Sequence, residues 1–175
     1  MDRTSLPNSS LTAGCETIYP SAAALTARLT TGQPLRIYQG FDPTRPELHL
    51  GHTVPLRILK RFQEAGHTAI VLIGDFTATV GDPSGRDAQR SVLTRTEVEA
   101  NALVIKEQLF RILDMERTEL HYNSEWYDDA DRLGSTRKLL ELAQSFTAAQ
   151  LWERDLFQAR QLKQQPVSLM EFFYP

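Results

Sequence analysis

Cysteine is almost absent: the 175 residues contain one, Cys15. A single thiol can neither close an internal disulfide nor build a thiolate metal cluster, which suits a reducing compartment, and Cys15 itself reads as an inert small residue. Long apolar runs are missing too. No segment approaches the ~20 residues that span a bilayer, and the opening MDRTSLPNSS lacks the hydrophobic stretch of a secretory leader, so a cytoplasmic protein with no membrane partner is expected. Basic excess is the third absence. The 19 Lys and Arg against 22 Asp and Glu give a net charge of −3, which excludes a protein that coats nucleic acid through bulk charge and confines any nucleotide contact to a local site. Internal repeats and low-complexity segments do not occur. What remains is 41% hydrophobic and 23% charged residues over about one domain's length, the composition of a globular protein.

Residues 1–17 are polar and carry Pro7 and Gly14, which predicts a mobile lead-in with order beginning near Ile18. Ser21 is placed to cap a helix over 22–29, and Gly32 with Pro34 to stop it. Residues 35–41 are β-rich, and 68–74 form a near-continuous apolar run typical of a strand covered on both faces. Between them Val54, Ile58, Leu59 and Phe62 recur at helical spacing within 53–65, with Pro55 tolerated in the first turn and Gly66 as the stop. Strand, helix and strand make a βαβ unit whose right-handed crossover builds parallel sheet, so the fold class is α/β.

The GDPSG run at 81–85 predicts a turn, and 86–95, with three arginines against one aspartate, a flexible basic loop. A helix then opens at Thr94 or Thr96, each with a glutamate three residues on. Val98, Ala102, Ile105, Leu109 and Ile112 form its apolar stripe, which is core or a partner surface. Residues 119–123 read as a short strand, and short helices are expected around 126–131, 136–144, 148–154 and 156–163. The run Phe172-Phe173-Tyr174-Pro175 leaves large rings without predicted structure to cover them, at about 1.5–3 kcal/mol per ring. It predicts a chain cut inside a larger domain.

The chemistry concentrates in YQGFDPTRPELHLGH, residues 38–52. A strand ends there, Gly40 lets the backbone pass close to a ligand, and a turn leads to His49-Leu50-Gly51-His52 at the opening of a helix. Free amides and the positive dipole end of that helix attract phosphate, and two imidazoles three residues apart share a face from which to donate further hydrogen bonds. Gly51 removes a side chain where a flat adenine could press against the backbone. The pair could instead ligate metal, but no third ligand stands at suitable spacing, so no metal site is expected; an ordinary helix entry with incidental histidines is the plainer alternative. His67 and His121 read as structural, and Arg57, Lys60 and Arg61 as a solvated basic helix face.

FDPT followed by HLGH resembles the HIGH motif of class I aminoacyl-tRNA synthetases. With YQGFDPT before it and GDFTATVGDPSGR after it, the chain resembles the amino-terminal part of the bacterial tyrosyl-tRNA synthetases from about Ile18 to Pro175. Leu50 in place of isoleucine is a conservative departure. The resemblance implies a Rossmann-like parallel sheet of a class I catalytic domain, truncated, over 18–175, with an inserted helical segment over 94–165 that serves a homodimer. It also implies ATP with Mg2+ as substrate, L-tyrosine and tRNA(Tyr) as partners, and no tightly bound cofactor.

By the same resemblance Tyr38 meets the substrate phenol, Asp82 pairs with the substrate ammonium, and Tyr174 stands near the substrate amine. Asp42 lies beside nucleotide and substrate; Gly40 and Gly51 flank the nucleotide. Thr44, His49 and His52 surround the triphosphate, and Arg86 and Arg90 close over pyrophosphate. The implied reaction is attack of the tyrosine carboxylate on the α-phosphorus, for which in-line positioning and charge stabilisation are the protein's task. Without the resemblance, Tyr38 would be a half-buried strand aromatic, Asp42 an Asx turn before Pro43, Asp82 a turn residue and the two arginines solvated loop charges.

The glutamine and aspartate that follow Tyr174 in the family's pocket, the remaining strands, the KMSKS loop and the tRNA-binding region are absent from this sequence. An isolated chain that is inactive or nearly so is therefore expected. Two alternatives stay open: a non-catalytic dimerising remnant, and a tryptophan-activating synthetase.

Overall fold

The computed structural model describes residues 8–80 and 93–164. Three segments pair in parallel: β1 (Arg36–Phe41), β2 (Thr68–Ile73) and β3 (Thr118–Tyr122), in the order β1-β2-β3. Tyr38 lies opposite Ile70 and Gly40 opposite Leu72, while Leu72 lies opposite His121 on its other side. The α/β class expected from the sequence is the one found. Two short helices precede the sheet, α1 (Asn8–Leu11) and α2 (Ala22–Leu29), the latter capped by the Ser21 hydroxyl, which accepts from the Ala24 amide at 3.1 Å. The first crossover is α3 (Leu50–Glu64). The second runs through α4 (Asp75–Val80) and α5 (Arg95–Leu109), followed by a 3-10 turn at Met115–Arg117. Among the described residues four short helices follow β3: α6 (Ser124–Tyr127), α7 (Thr136–Ala143), α8 (Ala148–Trp152) and α9 (Asp155–Leu162).

The core lies on one face of the sheet. Phe41, Ala69, Val71 and Ile73 point into it and meet Leu56 and Leu59 of α3 and Ala102, Ile105 and Leu109 of α5. The α5 stripe left open between core and partner surface is thus core. Of the two caps the sequence offers, Thr94 with Glu97 is the one that starts that helix. The span 94–165 contributes both this covering helix and β3 to the sheet layer before it becomes a series of short helices. On the opposite face Ile70 and Leu72 are only half-buried among the described residues, where coverage of both faces was expected.

Other expectations are corrected. Part of the lead-in is docked: α1 sets Leu11 in the interior, 3% exposed, and the Arg61 guanidinium donates to the Ala13 carbonyl at 2.5 Å, so Arg61 is not simply solvated. Helix α3 starts at Leu50, three residues before the expected 53, because His49 serves as its cap. Pro55 therefore sits in the second turn and leaves the Gly51 carbonyl without its helical donor. The buried stripe of α3 is Leu56, Leu59, Phe62 and Gln63, while Val54 is 55% exposed. Helix α4 was not foreseen, since Thr77, Thr79 and Val80 are β-branched and weak helix formers.

Gln63 is a buried polar residue, 2% exposed, that ties α3 to the start of β3. Its amide nitrogen, with two protons, lies within reach of Asp114 O at 3.1 Å, Arg117 O at 3.0 Å and Thr118 Oγ1 at 2.9 Å, and its oxygen accepts from the Asp114 amide at 2.9 Å. Buried amides persist where each group finds a partner.

Candidate functional site

Parallel strands leave their last carbonyls and the following turns at one edge of the sheet, where α/β proteins place ligands. Here the Gly74 amide donates to Phe41 O at 2.9 Å as the final rung between β1 and β2, and the chain after β1 then turns away. The Thr44 amide donates to Asp42 O at 2.8 Å, so backbone closes this turn, where a side-chain Asx turn was the local alternative. Pro43 is fully buried beneath it. Helix α5 stitches the turn down: Asn101 Nδ2 donates to Pro43 O at 3.0 Å, Gln108 Nε2 to Pro46 O at 2.8 Å, and Gln108 Oε1 accepts from the Leu48 amide at 2.9 Å.

The turn delivers His49 to the first position before α3. The His49 amide donates to His52 Nδ1 at 3.2 Å, and the rings stack with centroids 3.8 Å apart and planes inclined by 17°. Phe41 meets the other side of the stack, its ring edge-on to His52 with centroids 5.9 Å apart. Burial first, and the neighbouring His49 second, lower the His52 pKa below its usual 6.5. With Nδ1 occupied as an acceptor, the neutral ring carries its proton on Nε2, so His52 offers one donor. Gly51 is required by the same stack: a Cβ there would lie 2.8 Å from His49 Cε1 and 2.9 Å from Nδ1, so its vacancy accommodates the chain's own imidazole.

Asp42, Thr44, His49 and His52 line one cavity of about 370 Å³, together with Arg45 and Glu47 on its rim. Gly40 lies at the edge of β1 with the nearest atom to an added Cβ, Leu72 O, 4.0 Å away, leaving its face open. Tyr38 shares that open face, 70% exposed, and does not line the cavity. Asp82, Arg86, Arg90 and Tyr174 lie outside the described residues.

Sequence reasoning missed the residues that hold Asp42. Thr77 Oγ1 on α4 is 3.1 Å from Asp42 Oδ1 and 3.2 Å from Gly74 O, both within reach of its single proton, and accepts from Asn123 Nδ2 at 3.0 Å. Asn123, 6% exposed at the end of β3, has its amide orientation fixed because Oδ1 accepts from the Phe76 amide at 2.8 Å. Gly74 completes the arrangement, since an added Cβ would fall 1.9 Å from Asp42 Oδ1. The available signal was positional: Gly74 and Asn123 directly follow β2 and β3, at the edge where ligands gather.

A second cavity, of about 270 Å³, lies between α4, α5 and α6. Its charged side chains find partners within it. Arg95 reaches Glu99 at 3.0 Å and Asp128 at 3.5 Å, and Asp75 accepts from the Ser124 amide and hydroxyl at 3.0 and 2.6 Å. His67 Nδ1 accepts from the Leu35 amide at 3.1 Å, a structural role. His121 reaches Glu125 at 3.0 Å and Glu119 at 3.5 Å, and the Glu125 contact foremost raises its pKa. No group of three or more side chains able to hold a metal ion occurs among the described residues.

Residues 30–175 match the family model for tRNA synthetases class I (W and Y). The tyrosine–tRNA ligase of Xanthomonas euvesicatoria pv. vesicatoria is 51% identical over 151 residues, 86% of this chain and 36% of that protein. The corresponding ligase of Thiobacillus denitrificans is 48% identical over 153 residues, 87% of this chain and 38% of its own length. Among solved structures, a C-terminally truncated mitochondrial tyrosyl-tRNA synthetase from Coccidioides posadasii superposes with a TM-score of 0.76 at 29% identity, over 98% of this chain and 49% of that one. The chain thus spans little more than a third of the curated relatives it matches. With this match over most of its length and the imidazole stack at the sheet's carboxyl edge, the chain belongs to the class I tRNA synthetases of the tryptophan and tyrosine group.

Proposed function

We propose that this chain is the nucleotide-binding part of a tyrosine–tRNA ligase, which activates L-tyrosine with Mg-ATP to tyrosyl-adenylate and transfers it to tRNA(Tyr). The observation that carries the reading is the cavity at the end of β1, where the Thr44 hydroxyl, the stacked His49 and His52 and the start of α3 converge. Hydroxyl and imidazole donors at a helix N-terminus suit an anion whose charge is redistributed as pyrophosphate leaves, and this chemistry needs positioning more than proton transfer. Mg2+ enters with ATP as substrate. The roles proposed for Asp42, Gly40 and Gly51 lie beside the nucleotide, those of Tyr38, Asp82 and Tyr174 around tyrosine, and those of Arg86 and Arg90 over pyrophosphate.

A cytoplasmic homodimer is part of the proposal. No helix among the described residues is long and apolar enough to cross a membrane. The α5 stripe is spent on the core, whereas Leu140, Leu142 and Phe146 on and after α7 are exposed and within the 94–165 span proposed to serve the dimer.

The test is tyrosine-dependent exchange of labelled pyrophosphate into ATP. It is run on this chain alone and on a chimera in which residues 18–175 replace their counterpart in the Xanthomonas ligase. The chain alone is expected to be silent or nearly so and the chimera active with tyrosine. A chimera active only with tryptophan would transfer the assignment to that amino acid. A folded chimera silent with both would favour a non-catalytic dimerising module.

A further inference from the structure

The cavity beside the imidazole stack is lined by two carboxylates, Asp42 and Glu47, and by one permanent cation, Arg45. Without Arg45, a polyphosphate entering there would meet two negative charges and imidazoles of which at least His52 is held toward its neutral form. Arg45 makes no ion pair among the described residues, and it is exposed at the rim. Its backbone, by contrast, is fixed. It lies between Pro43 and Pro46, whose carbonyls are the ones that Asn101 and Gln108 of α5 hold at 3.0 and 2.8 Å, with Leu48 pinned to the same glutamine at 2.9 Å. A guanidinium without a carboxylate partner, presented from a clamped turn onto the rim of a cavity, is suited to an incoming phosphate because its planar fork matches phosphate oxygens.

We propose that Arg45 is a further contact for the polyphosphate of the nucleotide, in the same cavity as the His49–His52 stack, and that Asn101 and Gln108 are positioning residues for it. The inference rests on the nucleotide reading of the site. It adds a permanent positive charge to the donors that line this cavity, so it governs affinity for phosphate and leaves the nucleoside untouched.

Calorimetric titration, with ATP and with adenosine at low ionic strength, of the chimera that carries residues 18–175 in the Xanthomonas ligase tests it. Arg45→Ala is expected to weaken ATP binding about five- to tenfold and adenosine binding less than about twofold, with Arg45→Lys intermediate, as for an exposed charge-assisted contact. Gln108→Leu is expected to weaken ATP in the chimera with its wild-type residues and to add little further loss in the Arg45→Ala background, a coupling that a purely structural clamp would not produce. An unchanged melting temperature for Arg45→Ala excludes unfolding as the cause. If Arg45→Ala binds ATP as the wild type does while His49→Ala loses it, the Arg45 inference is overturned and the nucleotide reading stands. If the chimera with its wild-type residues binds neither ATP nor adenosine, both fall.

Discussion

Replacing Gly74 with alanine is a direct test of how the carboxylate beside the cavity is held. The added Cβ would lie 1.9 Å from Asp42 Oδ1 and 2.6 Å from Thr77 Oγ1, so Asp42 must swing away and give up its contact with the Thr77 hydroxyl. Losing a hydrogen bond to a charged group costs about 1.5–3 kcal/mol. Residual crowding adds about 1–3 kcal/mol. The backbone at Gly74 is not in the left-handed region, so alanine returns about 0.4–1 kcal/mol by restricting the unfolded chain. The net expectation is a loss of about 2–5 kcal/mol, read from urea unfolding. The decisive comparison is with Asp42→Ala, which removes the obstructing oxygen. In that background Gly74→Ala should cost less than half as much, because only the movable Thr77 hydroxyl remains in the way. Equal costs in the two backgrounds, with a coupling within about 0.5 kcal/mol, would refute the reasoning.

Gln63→Leu keeps the size of a buried side chain but strands the Asp114 amide; a loss of about 1–3 kcal/mol is expected from the desolvation of that unmet group, and denaturant unfolding with little change would sink the clamp. Gly51→Ala should part the imidazole stack, because its Cβ would lie 2.8 Å from the His49 ring; weaker ATP binding with an intact fold is expected by calorimetry, and wild-type affinity would contradict it. In an NMR titration His121 should change protonation above pH 6.5 and His52 and His67 below it. The signs follow by linkage: the His121 contribution to stability is complete below pH 6.5 and lost as pH rises through its raised folded value. Those of His52 and His67 are present above pH 6.5 and lost as pH falls through their lowered values. Reversal of that order would overturn the assigned contacts.

Local features read well from the residues because their causes are local. Ser21 and Thr94 cap the helices that follow them since the receiving amides are three residues away, and the βαβ crossover follows from apolar period and length. The HLGH run announced a helix start with two imidazoles on one side. The sequence could not tell that His52 would spend one nitrogen on the His49 amide, nor that Pro55 would stand in the second turn, because both depend on where the helix begins. Likewise Leu11 looked like part of a loose lead-in until α3 supplied the surface that buries it.

Pattern and spacing alone decided the fold class, the parallel sheet and the Ser21 cap, since each arises from contacts within a few residues or from a periodicity along the chain. Tertiary structure alone decided which carboxylate is held and by what. Thr77 and Asn123 are 35 and 46 residues from Asp42 and Thr77 respectively, and Asn101 and Gln108 are 58 and 62 residues from the carbonyls they fix. Only the stacking of parallel strands, which gathers their carboxyl ends on one edge and lays α5 beneath it, brings such distant groups within hydrogen-bond reach.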